Sequence, residues 1–180
     1  MYKRQDLICG LLLQSGNDCA AAIAEHISGS QEAFAELMNT EAKQLGATGT
    51  HFVNPHGLHD ENHYTTTYDL YLMFNEALKD QAFLDIISMN SYTAKVTSAD
   101  GTSYTPTWQA TNYYSAGEAT PPDGIHVYGG KTGTTDQAGN CVILYEKNTA
   151  GEPYISVIMG ASDKPLLYEE MNELLDAGMK

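Results

Sequence analysis

Apolar residues recur at helical spacing along the first part of the chain. Residues 6–14 predict a short buried helix, which breaks at Ser15-Gly16-Asn17 before a second apolar stripe over 20–27. A third helix is predicted from Ser30, a suitable N-cap, to a stop at Gly46. The Ser-Gly-Asn segment is therefore expected in a turn between two helices.

The middle of the chain first loses its period and then becomes helical again. Residues 46–66 carry Gly, Asn, Pro and His without a sustained pattern, which predicts a long irregular loop. The capping pattern Thr66-x-x-Asp69 predicts a helix that runs to about Leu78, and a shorter helix is expected near 80–88.

The second half changes to strand spacing. From Ser91 the apolar period is two, and the turn residues Asp100-Gly101 predict a hairpin. Three further strands are predicted at 125–132, 140–147 and 154–161, and their short connections favour antiparallel pairing.

A terminal helix completes the pattern. From Pro165 onward apolar residues occupy one helical face, namely Leu167, Met171, Leu174 and Leu175. Helices followed by an antiparallel meander and a last helix indicate an α+β fold.

Composition and charge exclude several classes of partner. The 180 residues are 42% hydrophobic and 18% charged, which is typical of a globular domain. Nine Lys and Arg residues against 23 Asp and Glu residues give a net charge of −14, which repels phosphate backbones. No apolar run approaches the roughly 20 residues of a membrane span. We expect neither a nucleic-acid partner nor a membrane segment.

The cysteines give no sign of a disulfide framework or a zinc site. Cys9, Cys19 and Cys141 are odd in number, widely separated and without C-x-x-C spacing. We expect all three to be small buried side chains.

The histidine-rich loop allows a metal-binding interpretation that its spacing disfavours. His56, His59 and His63 lie near Asp60 and Glu61, and such side chains bind divalent ions. The loop lacks the H-E-x-x-H spacing of helical metalloprotease sites. No metal and no other cofactor is therefore predicted.

Two short motifs could carry chemistry, although each is weakly specific alone. Glycines at 129, 130 and 133 surround Lys131-Thr132, which permits either close approach of a bound peptide backbone or a bulge beside a solvated lysine. Ser15-Gly16-Asn17 can likewise be an ordinary helix cap.

Together and in this order, these motifs resemble the Ser-x-Asn and Lys-Thr-Gly motifs of the active-site serine penicillin-recognising enzymes. Four longer segments are similar to successive parts of the D-alanyl-D-alanine carboxypeptidases, the low-molecular-mass penicillin-binding proteins, and span nearly the whole chain from Asp6 onward. They are LLLQSGNDCAAAIAEHISGS, GATGTHFVNPHGLHDENHYTTTYDL, GGKTGTTDQAGNCVIL and LLYEEMNELLDAG.

The resemblance implies a fold and an activity. The fold would be that of β-lactamases and DD-peptidases, with an antiparallel sheet flanked by helices and a helical subdomain. A serine would attack the terminal D-Ala-D-Ala amide of a peptidoglycan stem peptide, D-alanine would leave, and water would hydrolyse the acyl-enzyme. β-Lactams would acylate the same serine, and the protein would work outside the cytoplasm.

The resemblance also implies catalytic roles for three residues. Ser15 would relay a proton toward the leaving nitrogen, and Asn17 would hydrogen-bond the peptide portion of the substrate. Lys131 would stabilise negative charge and help to poise Ser15.

Three further residues would hold the substrate. The Thr132 hydroxyl would engage the terminal carboxylate, and Gly133 would permit close approach. The backbone N–H of Thr134 would donate to the oxyanion. By the same resemblance, the strand that carries these residues would lie at a substrate-facing sheet edge.

One departure from the family pattern is large. The family's nucleophile lies in a Ser-x-x-Lys motif upstream of Ser-x-Asn, and the 180 residues contain no such motif. Thr40-Glu41-Ala42-Lys43 has the spacing but the wrong nucleophile and chain order. We expect residues 6–180 to be the C-terminal part of one catalytic domain, incomplete at its N-terminus and inactive alone, and residues 1–5 to be non-native.

Two alternatives remain at this point. A serine β-lactamase would need an extra carboxylate to activate the deacylating water, and Glu61 is the nearest loop acid, although its surroundings resemble a carboxypeptidase. A non-catalytic module that binds cell-wall peptides would keep Lys131 and Thr132 for carboxylate capture.

Overall fold

Helices form most of the first half of the structure, a computed structural model that describes residues 3–98 and 100–178. All the helices predicted before the hairpin are confirmed, with boundaries within a few residues. They are α1 (Arg4–Gln14), α2 (Asn17–Ser28), α3 (Gln31–Gln44), α4 (Thr67–Ala77) and α5 (Gln81–Ile87). Helix α1 packs on α2 and α2 on α3, which gives the expected helical subdomain.

The interpretation of residues 1–5 as non-native stays a prediction. Residues 1 and 2 lie outside the described residues, and α1 already begins at Arg4. The backbone N–H of Lys3 donates to the Asp6 carboxylate at 2.7 Å, so the Asp6 carboxylate satisfies a donor at the start of α1.

Side-chain caps begin α3 and α4 as predicted. The Ser30 hydroxyl accepts from the backbone N–H of Ala33, and the Thr66 hydroxyl accepts from that of Asp69, both at 3.1 Å. The Asp69 carboxylate, which is buried, takes a different role from the predicted capping box. It accepts from the Gly49 N–H at 2.8 Å and from the Thr50 hydroxyl at 2.7 Å, and thereby ties the long loop to α4.

The loop over 46–66 is irregular, as predicted, but it is firmly held. The backbones of His51 and Tyr64 pair through N–H···O bonds of 2.8 and 3.0 Å. The Asn39 side chain of α3 donates to the Phe52 carbonyl at 2.8 Å and accepts from the Phe52 N–H at 2.7 Å. These bonds join parts of the loop to each other and to α3, and the Asp69 carboxylate joins it to α4, so the loop has a fixed position.

The predicted hairpin is confirmed as two short antiparallel ladders. They pair β1 (Ser91–Thr93) with β4 (Thr107–Gln109) and β2 (Val96–Thr97) with β3 (Ser103–Tyr104). Pro106 lies at the interruption between the ladders, where it lacks an N–H to donate but accepts from Ala94 at 2.9 Å.

The main sheet follows a short helix that the sequence did not predict, α6 (Tyr113–Ala116). Its three strands are confirmed as antiparallel and are longer than expected. They are β5 (Ile125–Thr135), β6 (Gly139–Asn148) and β7 (Pro153–Ala161), in the order β5-β6-β7, and α7 (Lys164–Gly178) comes last. Within the described ranges β5 is an edge strand, as the resemblance implied.

The central strand β6 is buried on both faces. Leu144 packs on one side against α7, including Met171. Ile143 packs on the other side against Phe74 of α4 and Ile87 of α5. The sheet is therefore covered by α7 on one face and by α4 and α5 on the other, which confirms the α+β fold.

The apolar face of α7 differs from the prediction at one position. Leu174 is 41% exposed, whereas Tyr168 is 6% exposed and packs in the core instead. The Tyr168 ring stacks on that of Tyr113 with centroids 4.5 Å apart, and its hydroxyl accepts from the Tyr113 N–H at 2.9 Å. The unpredicted α6 thus supplies the ring that covers Tyr168.

Two glycines of β5 make room for the protein's own backbone. A Cβ on Gly129 would lie 2.0 Å from the Ile87 carbonyl oxygen, and one on Gly130 would lie 2.1 Å from that of Ile143. The strand register shifts between Val127 and Gly129, so a bulge is present, but it lies at Tyr128 just before the glycines. Lys131 is half-buried, which corrects the interpretation of a solvated lysine. A Cβ on Gly133 would meet nothing within 4 Å, so of the three glycines around Lys131 only Gly133 leaves space beside the strand.

We expect Gly129→Ala to lower the free energy of unfolding by about 3 kcal/mol or more, because α5 or β5 must move to relieve the clash. Gly133→Ala is the matched control on the same strand, and we expect it to change the free energy by no more than about 1 kcal/mol. Urea denaturation measures both variants. Equal effects would contradict the assigned role of Gly129.

Strand β6 also buries a carboxyl group. Glu146 is 2% exposed, and one of its oxygens accepts from the Ser156 hydroxyl at 2.6 Å. Its other oxygen has no hydrogen-bond partner among the described residues. Burial raises the pKa of Glu146 to about 7, opposed in part by the bond from Ser156.

This raised pKa makes the stability depend on pH in a defined direction. Ionisation of Glu146 destabilises the folded state fully above pH 7, and this penalty disappears as the pH falls below about 4.5, the unfolded pKa. We expect Glu146→Gln to exceed the parent in stability by up to about 3 kcal/mol at pH 8 and by much less at pH 5. Thermal unfolding at both values measures it, and a pH-independent difference would contradict the buried carboxyl.

Candidate active site

Ser15 occupies a strained backbone position between α1 and α2. With φ 56° and ψ 40° it is left-handed, and it is the one non-glycine residue with positive φ among those described. The Gly16 N–H donates to the Gly10 carbonyl at 3.1 Å and closes the end of α1. Because the N-cap of α2 is Gly16, the Ser15 hydroxyl does not cap the helix. Ser15 is exposed.

Lys131 connects the two sequence motifs. Its Nζ donates to the Ser15 Oγ, 116 residues away in sequence, and to the Thr132 carbonyl at 2.7 Å. Burial lowers the pKa of Lys131 to about 8, but this value is still above neutral pH, so the amine remains mostly protonated there. The structure thus places a single cation beside an exposed serine hydroxyl.

Thr132 is held by a residue that the sequence did not indicate. The Oγ1 atoms of Thr132 and Thr111 lie 2.6 Å apart, and the Thr111 N–H donates to the Leu13 carbonyl in the last turn of α1 at 3.2 Å. Thr111 precedes the unpredicted α6 and belongs to no motif, so periodicity and motif spacing offered no signal for it.

The predicted site residues meet at one cavity. Its volume is about 500 Å³, and all six candidates line it, namely Ser15, Asn17, Lys131, Thr132, Gly133 and Thr134. The opposite wall comes from the loop over 46–66, including Phe52, Asn54 and His63, which were not proposed as site residues. That loop falls within one of the segments that resemble the carboxypeptidases, which was the available signal.

The loop histidines use their rings to hold the loop. The Nδ1 of His63 accepts from the Val53 N–H, and that of His56 accepts from the Leu58 N–H, both at 3.3 Å. Burial lowers the pKa of His63, so its neutral form is favoured. Residues 3–98 and 100–178 contain no group of three or more His, Cys, Asp or Glu side chains placed to hold a metal ion.

The cysteines only partly follow the prediction. Cys9 and Cys19 are buried, and burial raises both thiol pKa values, that of Cys19 to about 11 with a further contribution from Asp18. Cys141 is only partly buried, which corrects the expectation of a fully packed side chain. It pairs in register with Gly133, which has no side chain to cover it.

The geometry suits an extended, anionic ligand. A half-buried cation, a hydroxyl and the edge strand β5, whose outer side pairs with no other strand among the described residues, face one open cavity. Edge strands can pair with extended peptides, and Lys and Thr donors suit a carboxylate. Lys43 is exposed on α3 as predicted and does not line this cavity.

No helix within the described ranges is both long enough and apolar enough to cross a membrane.

Comparisons with known proteins agree on one family. Residues 1–163 match Peptidase S11, described as D-alanyl-D-alanine carboxypeptidase. The chain is 31% identical over 172 residues to D-alanyl-D-alanine carboxypeptidase DacF of Bacillus subtilis (strain 168). The match covers 96% of this chain and 41% of that relative. The chain is 33% identical over 175 residues to DacA of Haemophilus influenzae, again with 96% and 41% covered.

Solved structures show the same similarity in three dimensions. The crystal structure of the Streptomyces K15 DD-transpeptidase superposes with a TM-score of 0.88 at 27% identity, covering 97% of this chain and 67% of that chain. The present chain thus spans 41% of the length of the two curated relatives.

We expect the Lys131 ammonium to titrate with a midpoint near pH 8, well below its ordinary 10.5, because burial disfavours the charged form. NMR of the lysine side chains over pH 6–11 measures this, and Lys131→Arg identifies the signal by its loss. Unfolding the chain in urea should return the midpoint to about 10.5. A midpoint near 10.5 in the folded protein would contradict the burial.

Proposed function

This chain belongs to the D-alanyl-D-alanine carboxypeptidase family, and we propose that it forms the substrate-binding and proton-relay part of a serine-type carboxypeptidase site. The observation that carries the proposal is the hydrogen bond from Lys131 to Ser15 at the mouth of one cavity. It joins the Ser-x-Asn and Lys-Thr-Gly motifs, which are each weak in isolation.

The substrate is a peptidoglycan stem peptide that ends in D-Ala-D-Ala. Its terminal carboxylate accepts a hydrogen bond from the Thr132 hydroxyl and is attracted by the positive charge of Lys131. Gly133 leaves room for the peptide backbone along the edge of β5. The net charge of −14 opposes an anionic ligand at long range, so the attraction is local to Lys131. β-Lactams, which also carry a carboxylate, bind at the same positions and acylate the same serine.

The reaction is acyl transfer to a serine hydroxyl. The serine oxygen forms an ester with the carbonyl carbon of the penultimate D-alanine, the C–N bond breaks, and D-alanine leaves with a proton relayed through Ser15. The backbone N–H of Thr134 stabilises the oxyanion, and Asn17 hydrogen-bonds the peptide. Water then hydrolyses the ester and regenerates the serine.

The nucleophilic serine comes from outside these 180 residues, since they contain no Ser-x-x-Lys motif. The coverage of 41% of the curated relatives is consistent with a catalytic site completed by other parts of a longer protein. The chain alone therefore binds ligand without turning it over. Its substrate is a cell-wall peptide, so the site acts outside the cytoplasm.

The missing nucleophile also favours a second candidate, a non-catalytic module that captures cell-wall peptides through Lys131 and Thr132. A β-lactamase gains no such support. Glu61, the nearest loop acid, is exposed and is not among the residues that line the cavity.

We expect an acetylated peptide ending in D-Ala-D-Ala to bind this chain without release of D-alanine. Lys131→Gln should weaken binding about tenfold or more, because it removes a charged hydrogen-bond donor from a partly buried site. Ligand-observed NMR measures affinity, and an oxidase-coupled assay measures free D-alanine.

Each half of this expectation can fail separately. Release of D-alanine by the chain alone would contradict the external nucleophile. Absence of saturable binding, or equal binding of the same peptide ending in L-Ala-L-Ala, would contradict the proposed substrate. Turnover by a longer protein that adds a Ser-x-x-Lys segment would favour the carboxypeptidase, and its absence there would favour the binding module.

A further inference from the structure

We propose that Thr111 is a positioning residue that directs the Thr132 hydroxyl and thereby makes the site select ligands that end in a free carboxylate. The inference rests on the proposed function, since it concerns the same cavity. It adds a residue that lies outside both sequence motifs and does not itself line the cavity.

The first observation is the contact between the two hydroxyl groups. Their Oγ1 atoms lie 2.6 Å apart, and both side chains are partly buried. At this distance one hydroxyl donates its proton to the other, and the accepting hydroxyl must direct its own proton elsewhere. The direction of this one bond therefore decides whether Thr132 offers a proton to the cavity.

The second observation is that Thr111 is rigidly placed. Its N–H donates to the Leu13 carbonyl at 3.2 Å, two residues before Ser15. The preceding residue, Ala110, donates to the Asn90 carbonyl at 2.8 Å, and the following residue, Asn112, is 2% exposed and caps α6. Bonds on both sides thus hold the main chain of Thr111, from which its hydroxyl reaches Thr132, in place relative to α1.

The third observation is that the main chain of Thr132 is held as well. Its carbonyl accepts from the Lys131 Nζ at 2.7 Å, and the same Nζ donates to Ser15. The contact between Thr111 and Thr132 is therefore a second link between α1 and β5, beside the one made by Lys131. With both main chains held, the direction of the hydrogen bond between the two hydroxyl groups remains free to change.

A bound carboxylate resolves that freedom in one direction. Because an ionised carboxylate only accepts hydrogen bonds, Thr132 must donate to it, and Thr111 must then donate to Thr132. A carboxamide can also donate, and it does not require this arrangement. Thr111 therefore favours the carboxylate form of an otherwise identical ligand.

The test compares two ligands on three variants of this chain. The ligands are an acetylated peptide ending in D-Ala-D-Ala with a free carboxylate and the same peptide as its C-terminal carboxamide. Thr111→Val and Thr111→Ala remove the hydroxyl with and without the branched shape, and Thr111→Ser keeps it. NMR titration of the parent and the three variants with both ligands gives eight dissociation constants, and urea denaturation confirms that each variant is folded.

We expect Thr111→Val and Thr111→Ala to weaken carboxylate binding about 3- to 10-fold, as loss of one hydrogen bond in a charged network predicts. Carboxamide binding should stay within about twofold of the parent, and Thr111→Ser should restore the parent ratio. A purely structural role would weaken both ligands together and leave the ratio unchanged.

The failure of this inference differs from failure of the proposed function. If the parent prefers the carboxylate and the hydroxyl-free variants keep or increase that preference, Thr111 does not direct Thr132, while the proposed substrate stands. If the parent binds neither ligand, or binds both equally, the proposed function itself fails and the role of Thr111 fails with it.

Discussion

The burial of β6 on both faces is the constraint on which the rest of the structure depends. A one-residue shift of a strand that packs against α7 on one side and against α4 and α5 on the other would move Leu144 and Ile143 each to the opposite face, away from the helices that they fit. The neighbouring strand β5 is fixed in turn. The carbonyl oxygens of Ile87 and Ile143 lie so close to Gly129 and Gly130 that a methyl group on either glycine would clash with them. The position of Lys131 on the sheet edge follows directly.

The site is built where this fixed edge meets the end of α1. Lys131 and Thr132 each reach toward α1, one through Ser15 and the other through Thr111. Both arrangements carry a local cost, since Ser15 adopts a left-handed backbone and burial disfavours the charged form of Lys131. The core supplies the stability that holds these unfavourable groups in place.

Local patterns predicted most of the fold because helix and strand periods reflect which face is buried. The caps at Ser30 and Thr66 could also be predicted from local sequence, because each bonds to a residue three positions away. Features that depend on residues distant in sequence could not be predicted. The packing of Tyr168 depends on Tyr113 of α6, the Asp69 carboxylate bonds to a loop, and Thr111 acquires its role only when α1 and β5 come together.

The candidate site shows the same division between local and distant information. The six residues singled out by motif resemblance do meet at one cavity, although motif spacing alone could not show that they would. The three glycines around Lys131 and Thr132 illustrate the limit. Their sequence suggested space for a ligand, but two of them accommodate the protein's own backbone, and only Gly133 is open.

The left-handed backbone at Ser15 places folding and chemistry in opposition at one position. Glycine adopts this conformation without the steric penalty that a serine side chain incurs, so the backbone by itself favours loss of the hydroxyl. The same hydroxyl accepts from Lys131 and joins α1 to β5, so its loss would also leave a half-buried ammonium with one acceptor fewer. A serine at this position therefore exchanges backbone strain for a contact between two elements that are far apart in sequence.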